Sequence, residues 1–556
     1  MKLAEHVAGI ELQKREWLLW LAISFLVLAV FLPCLHFQFV YDDYGQIVET
    51  KQLNSIHMIP RFFTGHVWAW KKPGSMGVYY RPVFLLWLLA NQRLFGLSAP
   101  WWHLTSVLTH VAATILVFAV IRRMTGDPWT SAIAALLFGL HPVHVESVAW
   151  VSGVTDPLLA VFVLSSFLCF QDRHMPWSYL LFAAALLEKE TAVILPGLIF
   201  AYAWLFESRK RAWLWALPYV LLTLIYLGVR RIVLHEFSPA VTAVPLGRMM
   251  LTWPSILLFY LRHLLWPAGL SVFYTLRVVQ QADPTNFWIP LLVLVPFAAG
   301  LAFWALRSRA AAFAIVLLIV PLLPVLDLRT LGRAETVHDR YLYLPSIGLC
   351  LLLALAIRRV PGTASQIAVV IPLACFAAYG TVRESQCWTD NITLFLRAVE
   401  VAPDNEIANQ NLGTALMLNR EFVEAVPYYQ AAVALNPNMF DSLYSLGRIY
   451  YELGEYGRAE LYFERAISVN PRFAAPYLYY GLAKLKEGRL DESERALRRA
   501  IQLKGPDDYR EFHLALGLAL KAKGDLAGAQ REFQAEIREN PDPSKARLEI
   551  EQLSRP

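Results

Sequence analysis

Before about residue 383 the charges of this chain retreat to the ends of long apolar runs, and after it they spread evenly. The first run, residues 17–35, holds nineteen residues without a charge, long enough to cross a bilayer as a helix. A cleavable leader has a shorter apolar core and a small-residue cleavage site, so this run reads as a retained span. Ten more follow at 103–121, 129–147, 150–171, 176–187, 191–206, 212–229, 284–306, 310–326, 341–357 and 363–382, which makes eleven crossings. The apolar stretches 82–90 and 249–261 are too short to cross and read as interfacial or re-entrant segments. Of 556 residues, 57% are hydrophobic and only 17% charged, where soluble domains carry about a quarter. The net charge of +6 comes from basic residues at span ends. That placement encodes membrane topology and not a nucleic-acid surface. Cys34, Cys169, Cys350 and Cys375 lie inside apolar runs and Cys387 stands alone, with neither a disulfide framework nor zinc-ligand spacing.

Basic residues orient the spans. With Lys14 and Arg15 in the cytoplasm, Arg122 and Arg123, Arg173, and Arg209 to Arg211 fall on the same side. If 249–261 does not cross, the pairs Arg307/Arg309 and Arg358/Arg359 join them. An odd number of crossings then puts the C-terminal region outside the cytoplasm.

That region is periodic. Pro403, Pro437 and Pro471 recur at intervals of 34, followed by Pro506 and Pro541 at 35. Gly413, Gly447, Gly481 and Gly517 keep step with them, and Ala459, Phe463 and Ala466 stand at +12, +16 and +19 from Gly447. This is the tetratricopeptide pattern of paired helices. Small residues let the helices of a pair approach, the large aromatic fills the gap between pairs, and proline ends the second helix. Four full repeats are visible, with a half-repeat carrying Phe395, Ala398 and Pro403 in register. Such a stack presents a concave groove for an extended peptide or a partner helix. The fold class is thus all-α: a polytopic helical bundle over residues 1–383 and a repeat solenoid over 384–556.

Four constellations could carry chemistry, and the eleven-span topology puts all of them on the non-cytoplasmic side. Asp42 and Asp43 follow the first span; they fit a general base at the bilayer surface or a solvated turn. His141, His144 and Glu146, with Asp156 ten residues on, end a span; they fit a functional site, a thin metal site or a hydrogen-bonded corner. Glu188, Lys189 and Glu190 form a charged turn in which Lys189 could meet a phosphate. His338, Asp339 and Arg340 open a span, where Arg340 could hold a lipid phosphate or anchor the interface.

In this order and ahead of the repeats, these motifs resemble one family, the transmembrane and tetratricopeptide repeat-containing protein O-mannosyltransferases. The likeness runs through Phe39-Val40-Tyr41-Asp42-Asp43, Tyr80-Arg81-Pro82, His103-Leu104, His141-Pro142-Val143-His144-Val145-Glu146, Glu188-Lys189-Glu190 and Arg340-Tyr341-Leu342-Tyr343-Leu344-Pro345-Ser346, and on to Trp388, Leu394 and Phe395. The resemblance implies a C-type glycosyltransferase fold and transfer of mannose from a polyprenyl- or dolichyl-phosphate carrier to Ser or Thr of a protein. No cofactor or metal is implied. It further implies that Asp42 or Asp43, with Asp42 slightly preferred, is the base, and that Arg340 and Lys189 bind the donor phosphate. Arg81, His141, His144, Glu146, Asp156, Glu190 and Asp339 would line the site. The implied partners are the lipid-linked donor, membrane lipids and an extended polypeptide held by the repeats. A repeat array shorter than in animal members suggests a bacterial homologue in the inner membrane, with site and repeats periplasmic; in a eukaryote the site would face the endoplasmic reticulum lumen. The two competing readings are a non-catalytic membrane scaffold and a ligase that moves a diphosphate-linked oligosaccharide.

Overall fold

The computed structural model describes residues 2–50, 55–69, 79–234, 244–328, 336–505, 508 and 510–554. Helices make up all the regular structure among these residues. The chain divides into two compact units, residues 1–401 and 402–556.

Each of the eleven apolar runs is helical in the first unit. Among the described residues, eight helices are long and apolar enough to cross a membrane. The pair Pro128–Gly139 and Pro142–Ala149, bent by 52°, makes a ninth if it is one span. Met175–Glu188 and Pro345–Ile357 are shorter apolar helices. In the helix Ile289–Ala305 only Pro290 is buried. A helix that is apolar all round and exposed all round has hydrocarbon for its solvent.

The two short stretches set aside from the spans are also helical, as Pro82–Phe95 and Leu246–Leu265. The second is amphipathic. Met249, Thr252, Ile256, Tyr260 and His263 are buried at spacings of three and four, while Leu246, Met250 and Leu265 are exposed.

The bend before Pro142 has a physical cause, since proline lacks an N–H and disfavours helix in the residue ahead of it. In hydrocarbon the released carbonyls must be satisfied from inside the protein. His110 Nε2 donates to the Gly139 carbonyl at 3.0 Å, and Thr381 Oγ1 donates to that of Leu140 at 2.7 Å. Gly139 also allows close packing, because a Cβ there would lie 2.5 Å from the Val27 side chain and 2.9 Å from that of Thr114.

The second unit is a run of helix pairs: Glu406–Leu418 with Phe422–Leu435, Phe440–Glu452 with Tyr456–Val469, Ala474–Lys486 with Leu490–Leu503, and Phe512–Lys523 with Leu526–Glu539. A last helix, Ser544–Ser554, follows. The glycine and the large residue at +16 meet inside each pair. A Cβ on Gly447 would stand 2.6 Å from the Phe463 ring, and one on Gly481 equally close to Leu497. Phe463 stacks on Tyr479 of the next pair, at 6.0 Å, as expected of an aromatic between pairs, and it also lies on the glycine of its own pair. The half-repeat helix, Asn391–Val401, falls in the first unit. There Asn391 Oδ1 accepts the Tyr41 N–H at 2.8 Å, and Phe395 meets the Tyr41 ring.

Candidate active site

The first loop turns at Tyr41, whose φ of 54° is left-handed. That conformation costs a non-glycine residue roughly 1–2 kcal/mol. Contacts hold it in place: the Tyr41 ring packs against Trp150, Phe273 and Phe395 with centroids 5.6, 5.9 and 5.8 Å away. Beyond this turn the two neighbouring aspartates part company. Asp43 is fully buried. Its Oδ1 accepts the Ser152 N–H at 2.8 Å and the Ser152 hydroxyl at 2.5 Å, and its Oδ2 accepts the Val40 N–H at 3.1 Å. Burial pushes its carboxyl up to about 7, against the pull of the Ser152 and Val40 hydrogen bonds. Asp42 instead faces a cavity of about 450 Å³.

That cavity gathers side chains from distant stretches of the chain. Arg81, Lys189, Glu190 and Arg340 share its wall with Asp42. Arg81 grips Glu190 with two parallel bonds, Nη2 to Oε1 at 2.7 Å and Nε to Oε2 at 3.2 Å. Lys189 Nζ donates to Asp156 Oδ1 at 2.6 Å. Burial holds the ammonium below the usual lysine range, with Asp156 opposing. Glu146 brackets Arg340: Oε2 accepts its backbone N–H at 2.8 Å, and Oε1 accepts Nη1. The Arg340 guanidinium also lies over Trp150 and Tyr341, 5.6 and 5.5 Å from the ring centres. Such stacking suits a guanidinium fork that presents a fixed face to an oxyanion.

Of the expected lining residues Arg81 and Glu190 stand on the cavity wall, while His141, His144, Glu146, Asp156 and Asp339 lie outside its lining, as does Asp43, the other candidate base. His141 Nδ1 accepts the Val143 N–H at 3.2 Å, so its Nε2 carries the proton and donates to the Leu264 carbonyl at 3.1 Å. His144 Nε2 meets Ser346 Oγ at 2.9 Å, and that hydroxyl donates to the Tyr343 carbonyl. These histidines tie the broken span to its neighbours, and among the described residues no group of three or more His, Cys, Asp or Glu could hold a metal. Asp339 accepts the Tyr274 hydroxyl at 2.5 Å. Burial, with Glu146 next, holds its carboxyl well above the usual range.

Among the cavity residues that sequence reasoning passed over are Trp68, Trp150, Arg230 and Asp327. Arg230 ends an apolar helix and carries no motif; only its position near a span terminus could have flagged it. Beside the cavity Glu188 is buried, and neither of its carboxyl oxygens has a hydrogen-bond partner among the described residues.

An acidic side chain facing several anchored cations across one small cavity is the arrangement a group-transfer site needs, and comparison with known proteins supplies the context. The protein O-mannosyl-transferase TMTC3 of Mus musculus is 25% identical over 89% of this chain and 61% of its own length. The protein O-mannosyl-transferase F38B6.6 of Caenorhabditis elegans is 26% identical over 73% of this chain and 61% of its own. The chain is a relative of the transmembrane and tetratricopeptide repeat-containing protein O-mannosyltransferases. It spans 61% of the length of each of these two relatives. A third member, TMTC4 of Mus musculus, is 28% identical over 74% of this chain and 65% of its own length. The family described as Tetratricopeptide repeat matches residues 389–440 and 444–508. Family likeness thus covers both the bundle that holds the cavity and the repeats that follow it.

Proposed function

We propose that this chain is a membrane glycosyltransferase that moves a sugar, mannose, from a polyprenyl-phosphate carrier to Ser or Thr hydroxyls of a polypeptide. The observation that carries the reading is the cavity that Asp42 shares with Arg340 and Lys189. The carrier enters from the bilayer and lays its phosphate against Arg340, with Lys189 beside it. Asp42 accepts the proton of the acceptor hydroxyl. The freed oxygen bonds to the anomeric carbon from the face opposite the phosphate, and the bond from that carbon to the phosphate oxygen breaks. The electron pair leaves on the polyprenyl phosphate, where the guanidinium stabilises the developing charge. A single displacement inverts the anomeric carbon. Asp43 acts from behind, holding the loop against Ser152 so that Asp42 stays in the cavity.

The site works on the non-cytoplasmic face of the membrane, periplasmic in a bacterium, and the repeats present the acceptor as an extended segment. The kinship to protein O-mannosyl-transferases supports the reaction class. The test is transfer from labelled polyprenyl-phosphate mannose to a panel of secreted polypeptides by the purified full chain. Asp42→Asn should lower transfer by about 10²–10⁴-fold, the usual worth of a positioned base, while the protein stays folded. Wild-type rates in that variant would remove Asp42 from the mechanism, and inactivity of the wild type toward every polyprenyl-phosphate sugar would overturn the enzyme reading.

A further inference from the structure

We propose that Glu146 and Asp156 are positioning residues that set donor selectivity, favouring a carrier linked through one phosphate over a carrier linked through two. The proposal rests on the donor reading above and names what in the site would choose the donor.

The wall of the cavity carries four cations, Arg81, Lys189, Arg230 and Arg340, and three acids, Asp42, Glu190 and Asp327. Arg340 and Lys189 are each held from the protein side by a carboxylate that does not reach the cavity. The Glu146 side chain is 2% exposed and bonds both the backbone and the guanidinium of Arg340. The Asp156 side chain is 8% exposed and bonds the Nζ of Lys189, a side chain that is 4% exposed. Glu146 sits on the short helix after the bend in its span, Asp156 in the first turn of the helix Thr155–Gln171, and neither touches the other's cation through a hydrogen bond.

A cation backed by an acid acts on the cavity as a dipole. Its attraction is strong at contact and falls faster with distance than that of a lone charge. One phosphate against Arg340 and Lys189 therefore gains the full contact. A second phosphate lies farther from those two pairs, whose attraction has fallen off there, and meets the rest of the wall, Arg81 and Arg230 against Asp42, Glu190 and Asp327, which has no net positive charge. An array of unbacked cations would have favoured the more highly charged ligand instead. The backing carboxylates also fix the rotamers of the two cations, which accounts for building the site from pairs buried so deeply.

The experiment compares two soluble ligands, a short-chain polyprenyl-phosphate mannose and the matching diphosphate-linked mannose, which differ by one phosphate. Their affinities are measured on the full chain in nanodiscs of neutral lipid. The wild type is expected to bind the monophosphate ligand more tightly. Glu146→Gln and Asp156→Asn keep the shape of each side chain and remove its charge, and each should shift the ratio of affinities toward the diphosphate ligand by about tenfold, as one added unit charge nearby would do. The double variant Glu146→Gln, Arg340→Gln removes one charge of each sign and should bring the ratio back toward wild type; a purely structural role would only compound the damage. Should Glu146→Gln fail to fold, Asp156→Asn decides alone, since its partner Lys189 lies on a separate element. Unchanged ratios in folded variants would overturn this proposal and leave the donor reading standing, as would a wild type that prefers the diphosphate ligand. Failure of the wild type to bind either ligand would overturn both.

Discussion

Asp43→Asn changes one atom in a side chain that is closed off from solvent. The carboxyl is buried, accepts three hydrogen bonds from Val40 and Ser152, and is carried by burial from the ordinary 3.8 up to about 7. An aspartate whose pKa is raised on folding binds its proton more tightly in the native state, so its ionisation costs stability. The cost is absent below the unfolded pKa, grows as pH rises, and is complete above the folded one. At about 1.36 kcal/mol per unit the full cost is about 4 kcal/mol, of which about 2–3 kcal/mol accrues between pH 5 and pH 8. Asparagine cannot ionise and escapes it. The substitution has a fixed cost of its own, because an NH2 group then faces an N–H or hydroxyl donor, at about 1–3 kcal/mol. That cost does not change with pH. The expected outcome is a variant that gains about 2–3 kcal/mol on the wild type from pH 5 to pH 8. Thermal unfolding of both proteins in the same detergent across that range reads it directly. A stability difference that stays constant from pH 5 to pH 8 would show that the Asp43 carboxyl is hydrated or otherwise stabilised as the anion, and would refute the reasoning.

In the repeats, Gly447→Ala places a methyl group 2.6 Å from the Phe463 ring. It should lower the stability of the second unit by about 1–3 kcal/mol in thermal unfolding, and the further change Phe463→Leu should recover part of the loss, since leucine is smaller than the ring and can shift from the added methyl group. Glu188→Met replaces a buried carboxyl whose oxygens lack hydrogen-bond partners among the described residues with an apolar side chain of similar length. The variant should unfold at an equal or higher temperature, by relief of about 1–3 kcal/mol of desolvation cost; a clear drop would mean that an ordered water or a bound cation completes that carboxyl.

What could be read from the chain alone divides along a physical line. Spans are legible because crossing hydrocarbon forces every backbone group into a helix and every side chain toward apolarity, so nineteen uncharged residues admit few other structures. Repeats are legible because the same steric contact recurs: Gly413, Gly447, Gly481 and Gly517 each leave room for the residue sixteen positions on. The placement of the candidate site followed a different logic. Asp42 and Asp43 are chemically identical neighbours, and their separation depends on a left-handed residue at Tyr41, which is held by aromatic rings from three other stretches of chain. No local pattern in Phe39-Val40-Tyr41-Asp42-Asp43 announces that turn. Likewise Glu146 and Arg340 are 194 residues apart, and Lys189 and Asp156 are 33. The sequence marks all four as charges at membrane edges, yet it is silent on which cation each acid holds and on which side of the wall the acid stands. The same silence explains the histidines. Two imidazoles beside a glutamate look equally like ligands or like a corner until the carbonyl of Leu264 and the hydroxyl of Ser346 appear opposite them. Functional chemistry at a membrane edge is therefore detectable from sequence as an expense, a polar group where polar groups are costly. Whether the expense serves a cavity or the bend in a helix depends on contacts between elements: Arg340 and Lys189 have a carboxylate at their back and the cavity at their front, whereas His141 and His144 meet the Leu264 carbonyl and the Ser346 hydroxyl.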